Sequence, residues 1–397
     1  MKLFLQFGHG MMDHSKSLVK KWKSGTVILS PRDLDDNQLL NLTDKIKDLD
    51  GEVLLDPQCF AHDADHHRLT KHNYWKVYQS QKTMAFVDGS ATGIFLAELG
   101  VLARKLGLSR HILPGLLAKE IDEDWFHFHE HIIKAAPKYL SGSHLATIAL
   151  SSEVMLREDD MEEIVERAEQ WEVDGFYIVP EIPAPYLVDN PIWLSNLLIL
   201  ASGLKLLAKT VIVGYCSHQM LCLASANVDA IASGTWLNVR AFQPDKFYTP
   251  DADDVSRRAK WYYCPQALSE YKIPFLDVAK QMMMLDTMRA EATFGSSFAD
   301  VLFAGATPSS VDWNERYAFR HYLTCLHAQV GTARKASFDE TYDSYKKHLE
   351  AARSFLKKLH ARGIRGADRD FLDYIDVNDA AMNVFRKARG LRLKRKW

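Results

Sequence analysis

The chain has 397 residues, of which 47% are hydrophobic and 25% charged, an ordinary globular composition that excludes wholesale disorder and fits one large domain or two of common size. No stretch approaches about 18 uninterrupted apolar residues, the first ten residues lack a signal peptide's apolar run and small-residue cleavage site, and five scattered cysteines without a CxxC pair argue against a disulfide framework or a thiolate zinc site. Cytoplasmic residence with no membrane association is the expectation, and the formal net charge of −2 hides a tail, residues 386–397, with seven Lys or Arg and no acid.

Short apolar runs recur along the chain at 3–7, 26–30, 52–56, 111–114, 145–150, 175–179, 210–215 and 229–233. They are continuous rather than alternating, as in parallel strands covered on both faces. Helical patterns fill the gaps. Met161, Ile164, Val165 and Ala168 make one apolar face of a helix over 159–171, and Asn190 before Pro191 reads as an N-cap with proline in the first turn. Eight such units predict an α/β fold, a (β/α)8 TIM-like barrel. An open doubly wound sheet is the alternative, weakened because no GxGxxG follows the first strand. Past residue 240 the pattern changes to a polar loop over 243–258, then helices over 277–292, 313–333 and 339–362. The expected organisation is a barrel over 1–240, a polar and aromatic insert over 241–272, and a helical C-terminal extension with a basic tail over 273–397.

In such a barrel, chemistry sits at the carboxyl ends of the strands, so the polar residues just past each apolar run carry the argument. Asp33, Asp56 and Glu181 are the candidate catalytic carboxylates: burial among other acids raises a carboxyl's pKa for acid–base work, whereas surrounding donors keep it ionised as a nucleophile. A capping role for Asp33 and a turn role for Asp56 ahead of Pro57 are the plainer readings. His9, Arg32, Gln58, Ser217, His218, Ser233 and Asn238 are the candidate substrate-binding residues around the same mouth. His62, Asp63 and His66 have spacing suited to a divalent metal, or to a polar loop with helix-capping aspartates. Tyr74, Trp75, Tyr78 and Trp261, Tyr262, Tyr263 are rings that stack on bases or fill a core. In the tail, Arg389, Arg392, Lys394, Arg395 and Lys396 are the candidate contacts to nucleic-acid phosphates, a solvated terminus being the alternative.

The segment 210–218 (Thr-Val-Ile-Val-Gly-Tyr-Cys-Ser-His), followed by 221–228 and the run 229–233, resembles the last strand–helix–strand unit of tRNA-guanine transglycosylases, and more so that of 7-deazaguanine DNA transglycosylases. Asn227-Val228-Asp229 stands where that family has Gly-Val-Asp, Leu54-Leu55-Asp56-Pro57-Gln58-Cys59-Phe60 is similar to its Asp-Ser-Gly-Gly-Phe segment, and residues 316–323 resemble its helical end. The resemblance implies a (β/α)8 barrel that exchanges a nucleobase through an aspartate attacking the sugar C1′, with Asp56 recognising the base. Three features depart from it. Ala232 occupies the position of the nucleophilic aspartate, the Cys-x-Cys-x-x-Cys zinc motif is absent with only Cys264 in that region, and Pro57 and Gln58 replace the glycines. Either Asp33 or Glu181 takes over the nucleophile, or water replaces that step, or catalysis is gone.

Three functions follow: a glycosyltransferase-like barrel working on a nucleobase in DNA or RNA by base exchange or N-glycosidic cleavage; a catalytically inactive barrel of the same kind that binds nucleic acid or assembles a complex; and a metal-dependent hydrolase. The first, an enzyme of pentosyl transfer, is the leading reading. It needs no cofactor, the third alone calls for a divalent metal, and nucleic acid is the expected partner, with protein partners or a homo-oligomer left open.

Overall fold

The computed structural model describes residues 1–249, 259–294 and 296–397; of the polar stretch 243–258, residues 250–258 therefore lie outside the described residues. All eight expected strands form. They are β1 (Lys2–Gln6), β2 (Thr26–Leu29), β3 (Glu52–Leu55), β4 (Arg110–Ile112), then, past the two-residue β5 (Leu117–Ala118), β6 (Ser143–Leu150), β7 (Gly175–Pro180), β8 (Thr210–Val213) and β9 (Ala230–Ser233). Their order around the sheet is β3-β2-β1-β9-β8-β7-β6-β4, and every pairing is parallel. β3 and β4 lie side by side at the seam, where Leu117 N–H donates to the Phe60 carbonyl at 2.9 Å. The architecture is a nearly closed (β/α)8 barrel with a C-terminal helical region.

Helices α1 (Met12–Trp22), α2 (Asp36–Lys47), α3 (Asn73–Ser80), α4 (Thr83–Val87), α5 (Thr92–Lys105), α6 (Glu123–Tyr139), α7 (Glu158–Ala168) and α8 (Pro191–Leu206) accompany the strands. α8 is buried from Trp193 to Leu204, which explains why that stretch is apolar all round rather than along one stripe. Its start follows the expected cap: Asn190 Oδ1 accepts from the Ile192 and Trp193 N–H groups at 2.9 and 3.3 Å. α7 gathers Glu158, Asp159 and Asp160 in its first turn, where the helix dipole favours anions.

The insert contributes a hairpin that the sequence reading missed, β10 (Trp261–Cys264) against β11 (Ser269–Lys272), antiparallel and joined through residues 265–268. The helix expected over 277–292 is two, α9 (Ile273–Gln281) and α10 (Leu285–Met288), with Met283 between them at φ +53°, a left-handed conformation no helix continues through. α11 (Glu315–Ala333), α12 (Phe338–His360) and α13 (Tyr374–Lys396) complete the chain. α13 packs along α8 and α12, so the tail is an ordered helix rather than a frayed end. Arg389, expected on a nucleic-acid face, is turned inward, 7% exposed, with Nη2 at 2.5 and 2.6 Å from the two carboxylate oxygens of Glu162. Lys394 pairs with Asp339 at 2.9 Å, while Arg392, Arg395 and Lys396 remain exposed.

Candidate functional site

At the carboxyl end of β3, Asp56 points into the barrel and is 1% exposed. Tyr215 Oη, just past β8, donates to Asp56 Oδ2 at 3.0 Å. Tyr177 Oη, from β7, lies 3.3 Å from Oδ2 and 3.1 Å from Gln6 Oε1. The backbone N–H of Gln58 donates to Oδ1 at 3.0 Å. Burial pushes the Asp56 carboxyl up to about 7, although the Gln58 N–H, the two tyrosine hydroxyls and the Arg32 charge all pull it down. The group therefore exchanges its proton near neutrality, a poise that suits both general acid and general base.

The cage is held in an uncommon backbone. Gln58 and Tyr215 both have positive φ, +59° and +53°, a left-handed region that bulky side chains enter at a cost of order 1–3 kcal/mol. Gly214 is required for a different reason: a Cβ there would stand 2.5 Å from Tyr177 Oη, displacing the hydroxyl that faces Asp56.

Arg32, Asp33 and Gln58 join the same network. Gln58 Oε1 accepts from the Arg32 backbone N–H at 2.9 Å, and Gln58 Nε2 donates to Ser30 Oγ at 2.9 Å. Ser30 Oγ donates to Asp33 Oδ2 at 2.7 Å, which also pairs with Arg32 Nη2 at 2.9 Å. Asp33 is thus committed to an ion pair at the rim. Over the network sit Phe60, Phe242 and Phe247, each at most 2% exposed, with ring centroids 4.9, 5.3 and 5.7 Å apart. They plug the mouth.

The remaining expected residues scatter. Glu181 follows β7 but faces elsewhere: its Oε2 accepts from the Ser152 N–H at 2.9 Å, and half-burial raises its carboxyl above the usual range despite that bond. No hydrogen bond or ion pair joins it to Asp56 among the described residues. Ser233 is fully buried in β9, and Ser217 caps the turn 218–226, accepting from Gln219 N–H at 3.3 Å. Ala232 is fully buried opposite Phe4, and Asp229 lies at the opposite, amino end of β9, paired with Lys205 at 2.7 Å. His62, Asp63 and His66 do not converge. The first bonds the Tyr78 carbonyl at 2.9 Å, the second accepts from Tyr248 at 2.7 Å, and the third lies tilted against the His67 ring, centroids 4.7 Å apart. Among the described residues no group of three His, Cys, Asp or Glu side chains is disposed to hold a metal. Of the two roles open to Tyr74, Trp75 and Tyr78, stacking on bases or filling a core, the structure shows the second: they are at most 1% exposed in the core between α3 and α5.

Beside the plugged mouth lies an open cavity of about 610 Å³ that His9 and Asn238 do line. Its floor is a second buried carboxylate, Glu270 of β11, 3% exposed. Arg240 Nη1 stands 3.3 Å from both Glu270 oxygens, Arg369 Nη1 donates to Oε2 at 3.0 Å, and Tyr186 Oη donates to Oε1 at 2.6 Å. Burial would raise this carboxyl, but the Arg369 and Arg240 charges outweigh it and hold it at about 2. His218 lies behind this wall, its backbone N–H donating to Tyr322 Oη at 3.1 Å, and burial lowers its ring to about 4.

Gln6, Tyr177, Tyr215, Arg240, Glu270 and Arg369 escaped the sequence reading. A glutamine and a tyrosine inside otherwise apolar strand runs were available signals, because a polar group in a barrel interior needs a partner there. The aromatic and β-prone words Trp-Tyr-Tyr-Cys and Ser-Glu-Tyr-Lys around a four-residue turn were available for the hairpin.

No family model and no curated protein matches this chain. Among solved structures it is similar to a glycoside hydrolase family 3 beta-N-acetylglucosaminidase from Paenibacillus sp. str. FPU-7. The identity is 11% and the TM-score 0.36, over 88% of this chain and 67% of that one, too distant to bear on chemistry.

Proposed function

We propose that the barrel acts on the N-glycosidic bond of a nucleobase in nucleic acid, by base exchange or cleavage, with Asp56 as its acid–base group. The observation that carries this reading is a carboxyl poised at about 7 inside a barrel mouth, caged by two tyrosine hydroxyls and a glutamine. Gln6 Nε2 is buried there and has no partner among the described residues, which leaves a donor for a base edge beside the carboxyl. The resemblance of the 54–60 segment to the base-recognising strand end of the transglycosylases points the same way.

Ala232 stands where a carboxylate would form a covalent sugar intermediate, and Asp33, the further carboxylate joined to the cage among the described residues, is tied up with Arg32 and Ser30. The chemistry then runs through protons. Protonated Asp56 gives its proton to a ring nitrogen of the departing base as the C1′–N bond breaks, and the base leaves neutral. The resulting carboxylate is held by Tyr215, Tyr177 and the Gln58 N–H. Water or an incoming base adds to the sugar cation, and its proton returns to Asp56, which ends as it began. For a base to arrive, the Phe60–Phe242–Phe247 plug must be displaced.

The test is base exchange and base release on DNA and tRNA in parallel, with labelled guanine or a 7-deazaguanine. Activity is expected to fall above about pH 7 as Asp56 loses its proton, and to drop by about 10²-fold or more in Asp56→Asn. A closed mouth and an alanine at 232 favour a second reading, a non-catalytic barrel that binds nucleic acid. No label incorporated and no base released by the wild type, with salt-sensitive binding intact in Asp56→Asn, overturns the first reading in favour of the second.

A further inference from the structure

We propose that the open cavity beside the mouth is a binding site for a nucleoside phosphate, its phosphate on the Arg369–Arg240 wall and its base against the aromatic rings. This deepens the reading above by giving the same nucleotide class a second subsite, and it stands on residues that the acid–base chemistry does not use.

Charge argues first. Two guanidiniums share the Glu270 carboxylate at the cavity floor, and among the described residues the lining carries five Lys or Arg against three acids. A buried cluster with an uncompensated positive charge is costly alone and is balanced by an anion. Geometry argues next. Arg369 lies 3.9 Å from the Trp261 ring centroid and 5.3 Å from that of Tyr186, and Arg240 lies 3.4 Å from that of Tyr322. Ring stacking fixes each guanidinium by its face. Arg240 spends its Nε on the Gly234 carbonyl at 2.9 Å and its Nη1 on Glu270, so it supplies chiefly charge, and the free edge is that of Arg369. Arg369 spends Nη1 on Glu270, while its Nε is buried without a partner among the described residues, a desolvation cost that a phosphate oxygen in the cavity removes.

Shape selects the rest of the ligand. β10 and β11 alternate so that Trp261, Tyr263, Glu270 and Lys272 face the cavity while Tyr262 and Tyr271 are buried behind. Phe319 closes the facing wall, in edge contact with Trp236 at 5.0 Å. A volume of about 610 Å³ is in the range of small-molecule sites, and rings around a cationic floor suit a planar base carrying a phosphate better than inorganic phosphate.

Calorimetric titration of the full chain with GMP, guanosine, inorganic phosphate and a 5′-phosphorylated oligonucleotide tests this. GMP or the oligonucleotide is expected to bind at least tenfold more tightly than guanosine and than phosphate, and the two arms tell a free nucleotide from a strand end. Arg369→Gln should weaken that binding by at least tenfold, with Arg369→Lys recovering part of it. If Arg369→Gln fails to fold, Lys272→Glu at the rim should weaken binding in the same direction. No binding of either nucleotide, equal binding of inorganic phosphate, or undiminished binding in a folded variant overturns the proposal. Nucleotide binding without base exchange by the wild type removes the role of Asp56 alone; base exchange without nucleotide binding removes this subsite alone.

Discussion

Two carboxyls are buried almost equally near the mouth of this barrel, Asp56 at 1% exposure and Glu270 at 3%, and they end in opposite states. Both are driven upward by loss of water. Asp56 is answered chiefly by neutral donors, with the Arg32 charge the smallest pull, and its pKa still rises to about 7. Glu270 is answered by two guanidiniums, and its pKa falls to about 2. Hydroxyl and amide dipoles offset only part of the cost of burial, whereas full charges at hydrogen-bond distance exceed it. One surrounding leaves a carboxyl that titrates near neutrality and the other makes an ionic anchor tying the β10–β11 hairpin to the barrel.

Removing the anion from the anchor is the largest perturbation. Glu270→Gln keeps the shape but leaves Arg240 and Arg369 buried without a counter-charge, so unfolding in urea at pH 7 should show a loss of about 3–5 kcal/mol. Glu270 contributes its stability above its unfolded value near 4.5 and loses it as the pH falls through about 2, so the variant's deficit should narrow in acid. A deficit below about 1 kcal/mol at pH 7 would mean the two arginines find water instead, and the contrast with Asp56 would collapse.

The matching substitution in the cage has the opposite sign. A carboxyl raised in the folded state keeps its proton between about 3.8 and 7 while the unfolded chain has released it, so wild-type stability falls as the pH rises through that window. Asp56→Asn removes the penalty. It should be more stable than the wild type at pH 8 by up to ~4 kcal/mol and nearly equal at pH 4, measured by urea unfolding at both values. A gain that is the same at both pH values would show that the carboxyl does not titrate in the folded protein.

The two surroundings differed also in how much of them the sequence revealed. Parallel strands covered on both faces must be apolar throughout, so runs such as 175–179 announce themselves, and the polar residues at their carboxyl ends follow. Asp56, Gln58, Arg32 and Asp33 were legible in this way because they stand at the ends of neighbouring strands β2 and β3. Glu181 obeyed the same rule and still turned toward Ser152, since strand position fixes an end but not a side chain's direction. The cage partners were hidden because Tyr177 and Tyr215 reach Asp56 across the barrel, from 121 and 159 residues away. The anchor was hidden more deeply: Glu270 meets Arg240 and Arg369 over 30 and 99 residues, with no local pattern linking them. The inward turn of Arg389 in the tail was hidden for a related reason. A run of like charges looks solvated until a partner such as Glu162, 227 residues away, is placed against it.

The smallest expected effect separates dipoles from burial within the cage itself. Tyr215→Phe deletes the 3.0 Å donor to Asp56 Oδ2 while leaving a ring of nearly the same size in the barrel. That hydroxyl favours the ionised carboxyl, so its loss should raise the Asp56 pKa further, by about one unit, and lower stability at pH 8 by about 1–2 kcal/mol. At pH 5, where Asp56 keeps its proton, the stability cost should shrink to the lost Gln58 Nε2 contact at 3.3 Å. Carbon-13 NMR titration of the aspartate carboxyls reads the shift directly. An upward move shows that neutral donors were already lowering this carboxyl as far as they are able, and that only a full charge, as at Glu270, carries it the rest of the way. A midpoint that does not move would place the restraint on Gln58 and Arg32 instead, and make the tyrosine a packing element of the mouth.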